Sequence, residues 1–227
     1  MLYDIKEVIY DKKWLETAEN CELYYMYRDL YLSKRDREIL LETRLRYDIT
    51  IIPPRMLGRE YVKTLGHYHP LVPGTHLSYT EIYEVLEGKA HYLLQKEDDG
   101  RIVDVALVEA EKGDKVIIPP NYGHVTINPS NKALKMANFV ARDFRSVYEP
   151  YKERGGAAYF ELEGGEFVEN KNYGDLPSIR HLKPSNYSSL GLEKNREMYG
   201  IIRKDPELLG YLTAPERYED LFKKILG

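Results

Sequence analysis

The sequence predicts an all-β core, a double-sheet jelly roll, with peripheral helices near both ends of the chain. Three features carry that prediction. From Tyr47 to about Val147 the chain runs in short apolar segments broken by Gly, Pro, Asn and Asp, the pattern of many short strands joined by tight turns. A further hairpin follows, in which Ala158-Tyr159-Phe160-Glu161-Leu162 and Glu166-Phe167-Val168-Glu169 flank Gly164-Gly165. Helical patterns occur only outside this stretch, within residues 1–45 and 176–227.

Taken in order, residues 1–45 join a β-like run, Leu23-Tyr24-Tyr25-Met26-Tyr27, to a helix. Ser33 caps that helix, Asp36 follows three residues later, and Ile39, Leu40 and Leu41 supply apolar contacts. This segment should pack on the outside of the barrel. Residues 46–175 form the barrel itself, with Asp98-Asp99-Gly100 as the turn between Leu93-Leu94-Gln95 and Ile102-Val103-Asp104-Val105. Residues 176–227 are loop-like after Pro177. Asp205-Pro206-Glu207 then opens one short helix, and Thr213-Ala214-Pro215-Glu216 has the capping-box pattern that opens another. Tyr218, Leu221, Phe222 and Ile225 give the last helix one apolar stripe. The expectation is that this extension packs on its own barrel; a subunit contact and a cover over a site mouth are the alternatives.

Composition bounds the function. The chain has 227 residues, 43% of them apolar and 31% charged, enough for one well-packed unit plus additions. A net charge of −4 gives no global field that would attract nucleic acid or an acidic membrane, so an anionic ligand must be held locally. The single cysteine, Cys21, excludes an intramolecular disulfide and any multi-thiolate metal site within one chain. No signal peptide or apolar run near 18 residues is visible, so a cytoplasmic protein is expected.

The chemistry concentrates in four residues. His67 and His69 lie one residue apart, Glu81 follows, and His124 comes after it. Strand side chains alternate faces, so His67 and His69 project together and Glu81 shares a face with Tyr83. A strand pair can thus bring three ligands to one point. The fourth arrives at the end of Gly113-Asp114-Lys115-Val116-Ile117-Ile118-Pro119-Pro120-Asn121-Tyr122-Gly123-His124, a Gly turn, a short strand and a Pro-Asn turn. Three imidazoles and a carboxylate suit a divalent ion such as Fe, Mn, Ni or Zn, with coordination positions left open. A single strand histidine is usually structural; the combined spacing favours a metal site. His76, His91 and His181 carry no such pattern.

His-x-His, then Glu and Gly88, later Gly113, Pro119, His124 and Asn128, resemble the two motifs of the cupin superfamily. Asn121 stands where cupins usually carry Gly, which still suits a left-handed turn position. The longer gap between His69 and Glu81, with Pro70, Pro73 and Gly74, reads as an inserted loop. Within the cupins, residues from about 45 to 175 are similar to the cupin-type phosphoglucose isomerase family of archaea. The resemblance is carried by Thr64-Leu65-Gly66-His67-Tyr68-His69, Glu81-Ile82-Tyr83, Leu93-Leu94-Gln95 and Pro119-Pro120-Asn121-Tyr122-Gly123-His124-Val125-Thr126-Ile127-Asn128. It implies a cupin barrel with metal ligands at His67, His69, Glu81 and His124, sugar-phosphate contacts at Thr50, Thr64 and Gly66, and active-site tyrosines at Tyr83 and Tyr148. It also implies one divalent ion per subunit, iron before manganese, nickel or zinc, and a homodimer.

Counting forward from His124 puts Val140 and Ser146 opposite a tyrosine and a histidine that the family uses near its substrate. Local gaps would bring Phe139 or Phe144 there instead. Lys63, Arg55, Arg59 and Lys89 are nearby cations that could attract phosphate or simply be solvated. The implied activity is metal-dependent interconversion of glucose 6-phosphate and fructose 6-phosphate, with Glu81 and Tyr83 as catalytic residues. The competing readings are a mannose-6-phosphate isomerase, a dioxygenase built on non-haem iron, and a sugar-phosphate-binding cupin without turnover.

Overall fold

A computed structural model describes residues 1–226. Thirteen strands run in the order β1 (Tyr25–Tyr27), β2 (Leu45–Ile52), β3 (Met56–Leu57), β4 (Glu60–Tyr61), β5 (Glu81–Glu87), β6 (Lys89–Asp98) and β7 (Arg101–Glu111), followed by β8 (Lys115–Ile118), β9 (Tyr122–Ile127), β10 (Leu134–Ala141), β11 (Tyr159–Leu162), β12 (Glu166–Glu169) and β13 (Arg180–Leu182). They form a five-stranded sheet, β1-β2-β10-β5-β8, a four-stranded sheet, β13-β7-β6-β9, and a smaller sheet, β12-β11-β4-β3. This is a cupin-type β-barrel. The turn at Asp99 and Gly100 takes positive φ at both residues, +48° and +75°, as a tight hairpin between β6 and β7 requires. Asn121 sits at φ +67°, the left-handed position its place in the motif predicts.

Strand alternation sets what each face of the five-stranded sheet does. On β5, Tyr83 and Val85 enter the barrel core with Tyr92, Leu94 and Val125. Ile82 turns to the other face, where Tyr47, Ile117 and Phe139 meet Tyr199, Ile202, Leu209 and Tyr211 of the C-terminal extension. The extension therefore packs on its own barrel and gives this sheet a second core, so both faces are buried and no simple polar–apolar alternation survives in the sequence. Buried polar clamps reinforce the contact: the Thr80 hydroxyl donates to the Tyr211 carbonyl at 2.9 Å, and Lys115 donates to the Glu193 carbonyl at 3.0 Å. Glu84 accepts the Met198 N–H at 2.8 Å.

Three expectations are corrected. The stretch after Pro177 is not all loop, because Arg180–Leu182 pairs in parallel with β7. The capping box at Thr213 is not formed: its hydroxyl turns back to the Gly210 carbonyl, and the last helix starts at Glu219. The helix Lys34–Glu42 is capped by Ser33, which accepts the Asp36 N–H, but Leu41 is exposed while Leu40 is buried. Consecutive residues on a helix point in different directions, so only part of that apolar run can face the core.

Candidate metal centre

The segment 62–68 acts as one more strand beside β9. Thr64 N–H donates to the Thr126 carbonyl, and His67 exchanges both backbone hydrogen bonds with His124, at 3.2 and 3.0 Å. Between them Gly66 sits at φ +90°, where a Cβ would come within 2.6 Å of Tyr151 and Val125, so this break in the pleat needs glycine. The ligand pairing differs from the expected one. His67 and His69 lie beside the strand of His124, whereas Glu81 opens β5 in the opposite sheet. The four side chains converge across the gap between two sheets.

Their candidate ligand atoms all lie within 4.8 Å of one another. His67 Nε2 and His69 Nε2 are 3.2 Å apart, and Glu81 Oε2 lies 3.4 Å from both His69 Nε2 and His124 Nε2. Bonds of about 2.0–2.2 Å to one ion would separate neighbouring donors by about 3.0–3.5 Å. Glu81 Oε2 is buried with no hydrogen-bond partner, whereas Oε1 accepts from Asn138 Nδ2 at 2.6 Å. A buried carboxylate oxygen left bare is costly, and a cation held by the surrounding imidazoles would satisfy it. His69 Nδ1 lies 3.0 Å from the Tyr79 carbonyl, which fixes that nitrogen as the protonated one and frees Nε2 as a donor. The residues present therefore fit a divalent ion.

The electrostatics agree. Burial, followed by the neighbouring imidazoles, holds His67 well below the usual histidine range. Burial lowers His124 to about 4, against the opposing pull of Glu81. Burial works to raise Glu81, but its contact with His69 and the nearby imidazoles outweigh it, and the carboxyl stays below its ordinary value. At neutral pH these groups are poised as a carboxylate and neutral imidazoles, the forms that bind metal.

A cavity of about 630 Å³ opens onto the cluster. The strand register lays out its floor in rows: Arg46, Val140 and Glu81 stand side by side on β2, β10 and β5, then Asp48, Asn138 and Tyr83, with Thr50 in the next row. Tyr83 places its hydroxyl 3.1 Å from His124 Nε2, and burial, then Glu81, pushes its ionisation far up, so the phenol stays protonated. Thr50 and Tyr148 line the cavity, and the Tyr148 ring packs 5.4 Å from that of His67. Thr64 and Gly66 are not part of the lining; the Thr64 hydroxyl accepts the Thr126 N–H at 3.0 Å.

Val140 and Ser146 both line the cavity. Phe139 is buried on the far face against Tyr47, whereas Phe144 lines the cavity with its ring 4.7 Å from His69. Of the cations singled out by proximity in sequence, Arg59 pairs with Glu166 and Lys63 is buried on Glu60. Lys89 lines a different groove, and Arg55 is not part of the lining. Sequence reasoning passed over Asp48, Asn138, Arg28, Arg46 and Arg145, all of which line the site; period-two alternation from Thr50 along β2 pointed to Asp48 and Arg46.

The profile of the glucose-6-phosphate isomerase (GPI) family matches residues 2–178. The chain belongs to that family. Among curated relatives, glucose-6-phosphate isomerase of Thermococcus litoralis is 29% identical over 58% of this chain and 64% of its own length, so the chain covers just under two thirds of that relative. The enzymes of that name from Thermococcus gammatolerans and Pyrococcus abyssi are each 27% identical, over 72% and 73% of this chain and 77% and 80% of their own. A solved structure of oxalate oxidase in complex with the substrate analogue glycolate overlaps 60% of this chain and 61% of that one, at 17% identity and a TM-score of 0.42. As a GPI-family member, the chain carries the His/Glu cluster inside the matched segment, whereas the second core joins residues of that segment, such as Tyr47, Ile82 and Phe139, to residues beyond it, such as Tyr199, Ile202 and Tyr211.

Proposed function

We propose that this GPI-family chain is a metal-dependent glucose-6-phosphate isomerase that interconverts glucose 6-phosphate and fructose 6-phosphate. The observation that carries the reading is the unpartnered Glu81 Oε2 among three imidazoles at the end of a cavity large enough for a hexose phosphate. In the forward direction the hydrogen on C2 moves to C1 and the proton on O2 moves to O1. His67, His69, Glu81 and His124 would hold the ion, iron before manganese, nickel or zinc. When bound, that ion supplies a Lewis acid for charge developing on the sugar oxygens.

The side chains do the rest. Asn138 pins one Glu81 oxygen, so the other is aimed at the cluster. A carboxylate engaged as a ligand is a weak base, which leaves Tyr83 as the group that donates to O1 or O2 and passes the proton between them. Phe144 and Tyr148 flank His69 and His67 and limit water beside the reacting carbons. Thr50 and Tyr148 contact the sugar, and Thr64 and Gly66 support the histidine segment from behind the lining. The charge on a phosphorylated sugar keeps it on one side of a membrane, which favours a cytoplasmic enzyme. The edge strand β1, with Tyr25, Met26 and Tyr27 exposed, favours a homodimer.

Val140 and Ser146 give the lining only one short hydroxyl between them, which favours a second reading, a changed preference among hexose 6-phosphates such as mannose 6-phosphate. The test is isomerisation of fructose 6-phosphate by protein stripped of metal and reloaded in turn with Fe²⁺, Mn²⁺, Ni²⁺ and Zn²⁺, beside His124→Ala. Metal-dependent glucose 6-phosphate formation that the variant lacks supports the first reading, and mannose 6-phosphate as the main product supports the second. No turnover with stoichiometric metal overturns both.

A further inference from the structure

The loop between His69 and Glu81 is held by one residue of a distant turn. Residues 70–80 first close on themselves: Tyr79 N–H donates to the Pro70 carbonyl at 3.1 Å, and Val72 N–H to that of Leu77 at 2.8 Å. Asn121, in the turn between β8 and β9, then clasps the loop from outside. Its side-chain carbonyl accepts the Ser78 N–H at 2.8 Å, its Nδ2 donates to the His76 carbonyl at 3.1 Å, and its own N–H donates to Ser78 Oγ at 2.7 Å. A glycine would adopt the left-handed φ of +67° at no cost and make only the last of these bonds. The asparagine side chain is therefore spent on the loop.

The clasp leads to a ligand. Ser78 is 3% exposed, and its hydroxyl, having accepted from Asn121, donates to the Tyr79 carbonyl at 3.2 Å. That carbonyl also accepts from His69 Nδ1 at 3.0 Å, so both of its lone pairs are used. The Tyr79 ring stacks on Phe144 at 4.8 Å and 19°, and Phe144 in turn packs 4.7 Å from His69. Tyr79 thus grips His69 twice, at Nδ1 by its carbonyl and at the ring through Phe144. The next residue, Thr80, anchors its hydroxyl on Tyr211, and Glu81 follows. Asn121 itself lies three residues before His124. One side chain connects the loop flanked by His69 and Glu81 to the turn that delivers His124.

We propose that Asn121 and Ser78 are positioning residues for the metal centre. The clasp fixes where the Tyr79 carbonyl points, which orients the His69 ring and holds its tautomer, and it ties His69 and Glu81 to the strand of His124. A partner on the far nitrogen of a ligand histidine limits rotation of the ring and keeps Nε2 aimed at the ion. The assignment rests on the metal-binding part of the reading above and holds whichever sugar phosphate is turned over.

The test compares Asn121→Gly, Ser78→Ala and the double variant with wild type, all as the full chain. Glycine keeps the backbone conformation and the N–H at position 121, so only the side-chain bonds are lost. Asn195→Gly, at another left-handed asparagine (φ +64°) in the C-terminal extension, is the control. Two quantities are read well below the Tm of each protein: competition for Co²⁺ against a chromophoric chelator, and exchange of the His69 Nδ1 proton in metal-free protein by ¹⁵N NMR. Asn121→Gly is expected to weaken the Co²⁺ Kd about tenfold, the usual size for an outer partner of a ligand, and to speed the proton exchange about tenfold through easier local opening. The double variant should exceed either single one, and the control should match wild type. A merely structural role would lower Tm and leave both quantities unchanged. Either quantity unchanged in the double variant overturns the proposal, as does an equal change in Asn195→Gly. If wild type binds no stoichiometric Co²⁺, the metal-binding reading falls and the exchange alone decides: faster exchange in the double variant keeps Asn121 and Ser78 as the groups that hold His69, and equal exchange removes them.

Discussion

Replacing Asn138 with leucine tests whether the ligand cluster is pre-aimed by its surroundings. Asn138 is buried on β10, between Asp48 on β2 and Tyr83 on β5, and its Nδ2 donates to Glu81 Oε1 at 2.6 Å. Leucine nearly preserves the volume and removes the donor. A hydrogen bond to a buried carboxylate contributes about 1.5–3 kcal/mol, and at about 1.4 kcal/mol per tenfold that corresponds to a ~10- to 100-fold weaker metal Kd. Loss of a group that orients a ligand has the same usual size. The assay is competition for Zn²⁺ or Co²⁺ against a chromophoric chelator, with thermal unfolding of the metal-free protein as the folding control. A leucine variant that binds metal within twofold of wild type would refute the reasoning, because Glu81 would then be held by backbone position alone.

Tyr83→Phe should keep stoichiometric metal and lose about 100-fold in kcat, as removal of a proton-transfer group does; loss of metal together with activity would assign Tyr83 a structural role instead. Gly66→Ala should cost about 3 kcal/mol in urea unfolding, combining a left-handed φ of +90° with a Cβ pressed against Tyr151 and Val125, and a cost under about 1 kcal/mol would contradict the observed backbone. For acid, His67 and His124 are lowered on folding, the latter to about 4, so below about pH 6.5 the unfolded chain binds protons that the folded chain does not. The Tm of metal-free protein should therefore fall as pH drops from about 6.5 toward 4. His124→Leu should flatten that slope, and an equal slope in wild type and variant would count against buried, neutral His124.

Much of the site was visible locally because its chemistry depends on short spacing. Alternation alone puts His67 with His69 and Glu81 with Tyr83, and the turn motif alone brings His124 to the end of a strand at a left-handed Asn121. The Ser33 cap and the Asp99-Gly100 turn are local for the same reason: each is decided by a few neighbouring backbone groups. Proximity in sequence left Lys63 and Arg59 open between attracting phosphate and being solvated, and both pair with carboxylates away from the cluster, Glu60 and Glu166. Thr213 failed as a cap because it closes the preceding helix in a helical conformation, φ −110° and ψ −20°, with its hydroxyl donating back to the Gly210 carbonyl at 3.3 Å.

What sequence determined by itself was the ligand type, the barrel class and the turns, since residue chemistry and backbone preference operate over a few positions. Tertiary structure decided which strand faces which. It placed Glu81 across the gap from the histidines, set Asn138 beside it through pairing with β5, and brought Arg28 and Arg145 to the cavity. It also turned the extension into a second core on the back of the sheet that carries Glu81. These relations follow from burying apolar faces and pairing backbone groups across long separations in the chain, contacts that no local pattern specifies.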